Sequence, residues 1–410
     1  MKSEANTQAD ERNHLNAMIC TACVCFCHDM KWSAKLGWQD EEKCSLPTDL
    51  NANKFKSDAI QPEINSISGE IQNALKFNYP IAFTGLENLS LESQKIALKM
   101  AQSLRAWVLA GAGETSADPW DMAFAQLGGW HASWSEIRLR SDAILLWYAP
   151  LWQTHPRWLE RFGPRSHHAH KLAVLPPETS SAETGLIEEQ IIHLDPGHAI
   201  SFLTELRLAL KQNEMDHADS RIRRLMHFFQ NSKWAAIVRS NDPPGVQDLS
   251  SLAHCFNRFV IESNNSYHRI VVTNLPNAIN AHGLHASISW LAGVPMPFWF
   301  SPEGPVFRPD EMKPDDFGLV IAFGPTSSEF KRARLIRFNS DADKTQSNGQ
   351  LIEIPVAKPG NDSGGTVIRP DGIALQLHPL LKTTRMAVHE ILNCIMDQLH
   401  AESAFRRFNS

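Results

Sequence analysis

The sequence lacks the features that define membrane proteins, nucleic-acid-binding proteins and secreted proteins. No apolar run reaches about 18 residues, the length that a membrane-spanning helix needs. Lys and Arg form no basic block, and the net charge is −6, which argues against a nucleic-acid partner. The first 16 residues are polar and include Glu4, Asp10 and Glu11, so they do not resemble a secretory signal. We therefore expect a cytoplasmic protein that binds neither membranes nor nucleic acids.

The compact motifs of several enzyme classes are also missing. The sequence has no G-x-S-x-G nucleophile elbow, no H-E-x-x-H metal pair and no Walker phosphate loop. Gly111-Ala112-Gly113 is a glycine turn rather than a dinucleotide fingerprint, because no third glycine opens a helix after it. His167-His168-Ala169-His170 is predicted as a solvated surface run, since adjacent histidines in a loop point in different directions. We predict no catalytic residues in this chain.

What the sequence does contain is a group of cysteines near its start. Cys20, Cys23, Cys27 and Cys44 form a C-x2-C-x3-C pattern closed by a more distant thiol, with Cys25 inside the run. Three thiolates on one loop and a fourth from the next segment can hold an iron–sulfur cluster. Structural zinc is an alternative, although zinc sites usually carry a second C-x2-C pair, and an empty site is another. We predict that these four cysteines are metal ligands, and we favour a 4Fe-4S cluster over the two alternatives.

Apolar segments of strand length alternate with helical patterns along most of the chain. A buried strand is predicted over residues 80–85, followed by a helix that Ser90 caps and that runs to Leu109. Such alternation predicts an α/β fold, with parallel sheets that carry helices on both faces. The predicted organisation is a disordered start (1–16), a small N-terminal cysteine-rich module (17–58), one α/β lobe (59–184) completed by a return segment (301–410), and a second α/β lobe (185–300).

Three stretches of the sequence carry a resemblance to a known family. They are the cysteine run with His28-Asp29 behind it, the segment from Arg140-Ser141-Asp142 through His155-Pro156-Arg157 to Glu160-Arg161-Phe162, and Val367-Ile368-Arg369-Pro370-Asp371-Gly372-Ile373-Ala374. Through them the chain resembles the B subunit of formylmethanofuran dehydrogenase, a branch of the molybdopterin oxidoreductase superfamily. It most resembles the shortened form of that B subunit in bacterial formyltransferase/hydrolase complexes.

The resemblance gives a role to the motif His155-Pro156-Arg157. The motif follows a predicted strand end, the usual place for ligand contacts in open α/β sheets, and Arg157 could clamp a phosphate or carboxylate through its planar fork. The family places this motif beside its pterin pocket, so we predict His155 and Arg157 as cofactor-binding residues. The alternative is that Arg157 pairs with Glu160 or Glu136 and that His155 packs in a loop.

One departure from the family bears on the chemistry. In redox-active members, a cysteine or selenocysteine in the loop before the second strand ligates molybdenum or tungsten. The corresponding stretch here is 111–121, and no cysteine occurs between Cys44 and Cys255. Ser116 or Asp118 would be a hard and poor substitute for soft sulfur. We therefore predict that molybdopterin or tungstopterin is absent.

The resemblance then implies a non-redox subunit of a formyltransferase/hydrolase complex in methanofuran-linked one-carbon metabolism. Formyl transfer and hydrolysis would take place on partner subunits, and a polyglutamate tail on a methanofuran-type carrier would favour contacts such as Arg157 and Arg161. One alternative is a redox-active B subunit of formylmethanofuran dehydrogenase, with a tungsten or molybdenum pterin and a 4Fe-4S cluster. Another is a standalone metal-binding scaffold protein.

Overall fold

The computed structural model describes most of the chain after the N-terminal region. The described residues are 19–28, 32–33, 37–38, 44, 61–111, 118–166, 168–184, 186–213, 216–243, 245–264, 268–276, 278–325, 330–341, 346–347, 350–381 and 384–408. The predicted disorder of residues 1–16 lies outside them, as does most of the predicted cysteine-rich module.

Helices and strands alternate through the described chain. The helices are α1 (Gln61–Lys76), α2 (Leu91–Ser103), α3 (Pro119–Leu127), α4 (Trp134–Arg140), α5 (Leu151–Thr154), α6 (Trp158–Arg161), α7 (Ser181–Thr184), α8 (Ala199–Gln212), α9 (Ser220–Gln230), α10 (Leu249–Ser263), α11 (Ala281–Leu291) and α12 (Val388–Phe408). The strands are β1 (Trp32–Ser33), β2 (Gly37–Trp38), β3 (Ile81–Thr84), β4 (Trp107–Val108), β5 (Ala143–Trp147), β6 (His170–Leu175), β7 (Ile191–His193), β8 (Trp234–Arg239), β9 (Arg269–Asn274), β10 (Phe298–Ser301), β11 (Gly304–Phe307), β12 (Leu319–Phe323), β13 (Arg334–Asn339), β14 (Gln346–Ser347), β15 (Leu351–Pro355), β16 (Gly365–Ile368) and β17 (Ala374–Leu377).

A five-stranded parallel sheet forms the centre of one lobe. Its strand order is β7-β6-β5-β8-β9, and every neighbouring pair is parallel. Leu145 and Trp147 of β5 face a core that α8, α9 and α10 complete, whereas Ile144 and Leu146 face a second core on the opposite side, which Trp134 of α4 joins. The strand is apolar at every position because both of its faces are buried.

An eight-stranded mixed sheet forms the other lobe, in the order β11-β10-β4-β3-β12-β13-β15-β14. Its five inner strands are parallel, and the hairpin β10–β11 and the short β14 add antiparallel edges. Helices α1, α2 and α12 cover one face through Ile67, Leu98 and Ile391, and Phe317 and Phe330 cover the opposite face. The prediction of an α/β fold with mainly parallel sheets in two lobes is confirmed.

The strand pairing corrects the predicted boundary between the lobes. β5 and β6, which we assigned to the first lobe, pair with β8 and β9 in the five-stranded sheet. β10, assigned mostly to the second lobe, pairs with β4 in the eight-stranded sheet. Strands buried on both faces all read as short apolar runs, so their composition does not encode which sheet they join.

The predicted helix from Ser90 to Leu109 is also shorter than expected. Ser90 caps it, since its hydroxyl accepts the Ser93 N–H at 3.4 Å, but the helix ends at Ser103. Arg105 then adopts a left-handed backbone with a φ of 51°, and the chain enters β4. An apolar run of this length can be helix or strand, and periodicity alone does not separate the two.

A β-hairpin made of β16 and β17 connects the two lobes. Val367 and Leu377 of the hairpin pack in a core of the five-stranded sheet. On the other side, the Thr366 hydroxyl donates to Glu92 Oε1 at 2.7 Å, and Glu92 belongs to α2 of the other lobe. This hairpin is the third stretch of the family resemblance. Among the described residues, none of the helices combines the length and apolar character that crossing a bilayer requires.

Candidate functional site

A cleft of about 510 Å³ opens where two neighbouring parallel strands end. β8 ends at Arg239 and β9 ends at Asn274, and both residues line the cleft. The chain runs from β5 to β6 and β7 on one side and then returns to the other side for β8 and β9, so the strand order reverses between β5 and β8. Open α/β sheets hold their ligands at this edge, next to such a reversal. The volume suits a small-molecule site.

Elements of both lobes build the remaining walls. Helix α3 contributes Trp120 and Asp121, and α11 contributes His282 and His285. The turn of the connecting hairpin contributes Asp371, whose carboxylate accepts the Trp134 N–H at 2.9 Å. Helix α3 begins next to the cleft because Asp118 caps it, accepting the backbone N–H groups of Trp120 and Asp121 at 2.7 and 3.0 Å.

Arg239 is the buried charge of the cleft. Its side chain is 9% exposed, and its guanidinium lies 3.8 Å from the centre of the Trp120 ring. Nη1 donates to Asn241 Oδ1 at 2.8 Å, and the Trp120 indole N–H donates to the Asn241 carbonyl at 2.7 Å. Burial lowers the pKa of Arg239 to about 10, while Asp118 and Asp121 act in the opposite direction. The guanidinium therefore stays charged at neutral pH.

A carboxyl group and three imidazoles complete the polar wall. His285 Nδ1 lies 3.3 Å from Asp121 Oδ2, and the ring of His282 stacks 6.3 Å from the ring of His285. Burial raises the pKa of Asp121 to about 6, against the opposing effect of His285. Burial also lowers the pKa of His282 to about 4, and it lowers that of His131. At neutral pH, His131 and His282 are thus neutral and can both donate and accept hydrogen bonds.

A second cavity, of about 400 Å³, lies beside α8 and α10 on the five-stranded lobe. Two of its charged groups already pair with each other, since Arg207 Nε lies 3.5 Å from Glu262 Oε2. This cavity does not lie at the carboxyl edge of the sheet. We therefore take the larger cleft as the candidate site.

The four predicted metal ligands lie together in the structure. Cys20, Cys27 and Cys44 are buried and Cys23 is half-buried, all in one cluster with Cys25. The Cys20 N–H donates to the Cys27 carbonyl at 2.8 Å and closes the loop. Burial raises the pKa of Cys20 to about 12, and the neighbouring thiols add to that effect. The hydrogen bond from Cys25 lowers the pKa of Cys23.

The donor type suits an iron–sulfur cluster, because the four predicted ligands are all thiols and belong to one cluster of side chains. Nevertheless, no group of three or more His, Cys, Asp or Glu side chains in the described ranges is positioned to hold a metal ion. The thiols would also have to lose their protons on binding. The assignment of Cys20, Cys23, Cys27 and Cys44 as ligands stays a prediction.

The structure places Arg157 beside the cysteine loop, and neither His155 nor Arg157 lines the cleft. Both side chains are buried, and Arg157 donates through Nε and Nη2 to Glu160 Oε2 at 3.0 and 2.6 Å. This is one of the pairings that the sequence left open. The positive charges of Arg157 and Arg161 both favour the thiolate form of Cys23. The role of His155 and Arg157 in cofactor binding stays a prediction.

The cleft residues on β8 and α11 did not emerge from the sequence. Arg239 directly follows the predicted strand at 234–238, so the rule for carboxyl ends of parallel strands could have singled it out. His282 and His285 are spaced three apart within a predicted helix and so share one face of it. Asp118 and Asp121 lie in the stretch that the resemblance aligned with the metal-binding loop, and residues 112–117 of that stretch lie outside the described residues.

No family model matches the chain, but it is similar to a known protein in sequence and to a known complex in structure. In sequence, the chain is 20% identical over 327 residues to the B subunit of the tungsten-containing formylmethanofuran dehydrogenase 2 of Methanococcus maripaludis, covering 73% of this chain and 74% of the relative. In structure, it matches a chain of the formyltransferase/hydrolase complex (FhcABCD) from Methylorubrum extorquens, solved with methylofuran. That match has a TM-score of 0.68 and 15% identity, and it covers 85% of this chain and 98% of the other. The resemblance predicted from the sequence is thereby confirmed: the chain is similar to the B subunit of formylmethanofuran dehydrogenase and shares its fold with a chain of the formyltransferase/hydrolase complex.

Proposed function

We propose that this chain is a non-redox subunit of a formyltransferase/hydrolase complex in methanofuran-linked one-carbon metabolism. The observation that carries the proposal is the chemistry of the cleft. The described residues that line the cleft present carboxylates, imidazoles and a guanidinium. None of these residues carries sulfur. The sequence contains no cysteine between Cys44 and Cys255 that could supply one. A molybdenum or tungsten centre of the kind found in redox-active relatives needs a soft thiolate ligand.

The comparisons support the one-carbon context of this proposal. The structural match is a complex of several subunits that holds methylofuran, and the sequence relative belongs to a formylmethanofuran dehydrogenase. In the proposed complex, formyl transfer and hydrolysis take place on partner subunits, and this chain holds them in position. Its contribution is then structural, with no catalytic residue of its own.

Metal analysis of the intact complex tests the proposal. The complex is purified from its host through an affinity tag on this chain, and its tungsten and molybdenum are measured by mass spectrometry. We expect formyl-transfer activity in the purified material and less than about 0.1 atom of either metal per chain. About one atom of tungsten or molybdenum per chain would overturn the non-redox assignment. Recovery of this chain only as a stable monomer would overturn its place in a complex.

The redox-active alternative is favoured by one observation, the convergence of four thiols in a buried cluster. Cys20, Cys23, Cys27 and Cys44 would hold a 4Fe-4S cluster, which supplies one-electron transfer when bound. This alternative requires tungsten or molybdenum in addition to iron. A standalone metal-binding scaffold would instead contain iron or zinc and would lack partner subunits.

Matched cysteine variants separate a bound cluster from remnant thiols. If a cluster is present, the complex contains about four iron atoms per chain and absorbs visible light. Cys20→Ser should then remove most of the iron and the absorbance, whereas Cys25→Ala, which changes the thiol outside the predicted quartet, should retain both. Equal iron content in the two variants would contradict the assignment of the quartet.

A further inference from the structure

Arg239 has an unsatisfied edge. Among the described residues, only its Nη1 nitrogen has hydrogen-bond acceptors, namely Asn241 Oδ1 at 2.8 Å and the Ser240 carbonyl at 3.4 Å. No acceptor in that part of the chain lies within reach of Nε or Nη2, and no carboxylate there forms a salt bridge with Arg239. The side chain is 9% exposed and lines the cleft. Nε and Nη2 are not among the fully buried nitrogens that lack a partner, so they remain accessible on an otherwise buried side chain. An anion in the cleft can supply the acceptors that the described residues do not provide.

The surroundings hold this edge in a fixed plane. The Trp120 ring stacks on the guanidinium at 3.8 Å. Asn241 accepts a hydrogen bond from Nη1, the nitrogen outside the edge that Nε and Nη2 form. Nε and Nη2 together form the flat fork to which a carboxylate binds with both oxygens. Because Trp120 and Asn241 are joined by their own hydrogen bond of 2.7 Å, the fork is preorganised before any ligand arrives.

The nearest acidic groups are engaged elsewhere. One oxygen of Asp118 accepts two N–H groups at the start of α3, and Asp121 contacts His285. Asp118, Asp121 and Asp371 nevertheless surround the cleft with negative charge. A ligand with two negative charges would be repelled by these carboxylates more strongly than a monoanion. A carboxylate therefore suits the site better than a phosphate.

Aromatic surface lies in the same cleft. Trp130 is 40% exposed and Phe124 is 47% exposed, and both line the cleft that Arg239 also lines. The guanidinium of Arg269 lies 5.0 Å from the centre of the Trp130 ring. The Phe124 ring meets His131 edge-on at 5.2 Å, so its position is fixed from one side. Exposed aromatic faces beside a buried cation are suited to a ligand with a flat apolar body and a charged end.

We propose that the cleft binds a small aromatic monocarboxylate, with its carboxylate held by Nε and Nη2 of Arg239 and its ring against Trp130 and Phe124. This site goes beyond the proposed scaffold role and does not depend on it. The scaffold role is tested by the tungsten and molybdenum content of the complex, and this site is tested by ligand binding to the full chain, so the failure of one is distinguishable from the failure of the other.

Calorimetric titration of the full chain with benzoate tests the proposal, with benzamide as the uncharged isostere and phenyl phosphate as the dianion. We expect benzoate to bind at least about tenfold more tightly than either of the other two. Arg239→Lys should weaken benzoate binding at least about tenfold, because lysine lacks the fork. The matched control is Arg221→Lys, outside the cleft, where the arginine pairs with Asp219 at 2.6 Å and lies 5.5 Å over Phe202. This variant should bind benzoate as the parent does.

Trp130→Ala gives a second, independent arm that leaves Arg239 in place. Trp130 is partly exposed, so its removal should leave the melting temperature nearly unchanged while benzoate binding weakens several-fold. Equal affinity for benzoate and benzamide would overturn the proposal, and so would unchanged benzoate binding in Arg239→Lys. Tighter binding of phenyl phosphate would overturn the choice of a monocarboxylate. If Arg239→Lys does not fold, benzoate binding that is unchanged in Trp130→Ala overturns the placement of the ring.

Discussion

The guanidinium of Arg239 lies 3.8 Å from the centre of the Trp120 ring. This contact joins the end of strand β8 to the first turn of helix α3. The same indole donates to the Asn241 carbonyl and meets the Phe256 ring edge-on at 5.6 Å. One tryptophan therefore anchors a helix, a strand end and the orientation of a buried cation. The shape of the cleft depends on it.

Substitutions of Trp120 should separate its packing from its hydrogen bond. Trp120→Ala removes a buried ring and should lower the free energy of unfolding by about 3–5 kcal/mol. Trp120→Phe keeps an aromatic face under Arg239 but leaves the Asn241 carbonyl without its donor, so we expect a loss of about 1–2 kcal/mol. Urea denaturation followed by circular dichroism measures both. Equal losses in the two variants would contradict the stacking role of the ring.

Two glycine-to-alanine substitutions within helices should have opposite effects. A Cβ at Gly283 of α11 would lie 2.1 Å from Asn280 Oδ1, whereas a Cβ at Gly69 of α1 would meet nothing within 4 Å. Gly69→Ala should therefore stabilise the protein by about 0.5–1 kcal/mol through its helix propensity. Gly283→Ala should destabilise it by about 1–3 kcal/mol, because the buried amide of Asn280 must move. Melting temperatures of the two variants that shift in the same direction would count against this packing.

Asn280 should control the stability of the connecting hairpin. Its fully buried amide accepts the Ile368 N–H at 2.7 Å and donates to the Leu89 carbonyl at 2.7 Å. Asn280→Ala leaves both groups without partners and should cost about 2–4 kcal/mol. Hydrogen exchange at the Ile368 amide should also accelerate, because that N–H loses its acceptor while the contact of Thr366 with Glu92 remains.

The matched control for this prediction is Asn264→Ala. Asn264 also bridges backbone groups, donating to the carbonyls of Val260 and Ile270 and accepting the Ile270 N–H at 2.9 Å. Its loss should accelerate exchange at Ile270 and leave Ile368 unaffected. Faster exchange of the hairpin in both variants would mean that the loss of stability is global.

His155 should make the stability of the protein depend on pH. Burial lowers the pKa of His155 to about 4, from about 6.5 in an unfolded chain. The unfolded chain then binds the extra proton first, so this contribution is complete above about pH 6.5 and is lost as the pH falls towards 4. Over that range it amounts to about 2–3 kcal/mol. Urea denaturation of the parent and of His155→Gln between pH 4.5 and 7 measures it. The free energy of unfolding of the parent should fall relative to that of His155→Gln as the pH falls. A difference between the two that stays constant would refute the assignment.

The order of secondary structure was largely predictable. The strands around residues 81–84, 143–147, 234–239 and 319–323 each follow from a short apolar run, and the cap at Ser90 is a local signal. The exception is instructive: β4 was predicted as the end of a helix, although Arg105 turns the chain out of it. Local patterns show where regular structure begins more reliably than where it changes type.

The sequence by itself determined the α/β class, the cysteine cluster and the family resemblance, because these depend on residue types and on spacings within short segments. Only the tertiary structure decided which sheet each buried strand joins, since β5 and β12 are both apolar and buried at every position and lie in different sheets. It also decided the candidate site. Arg239, Trp120 and His282 lie far apart in the chain and meet only because two lobes and a hairpin close around one sheet edge. The burial of the Arg239 side chain exists only after those elements have packed.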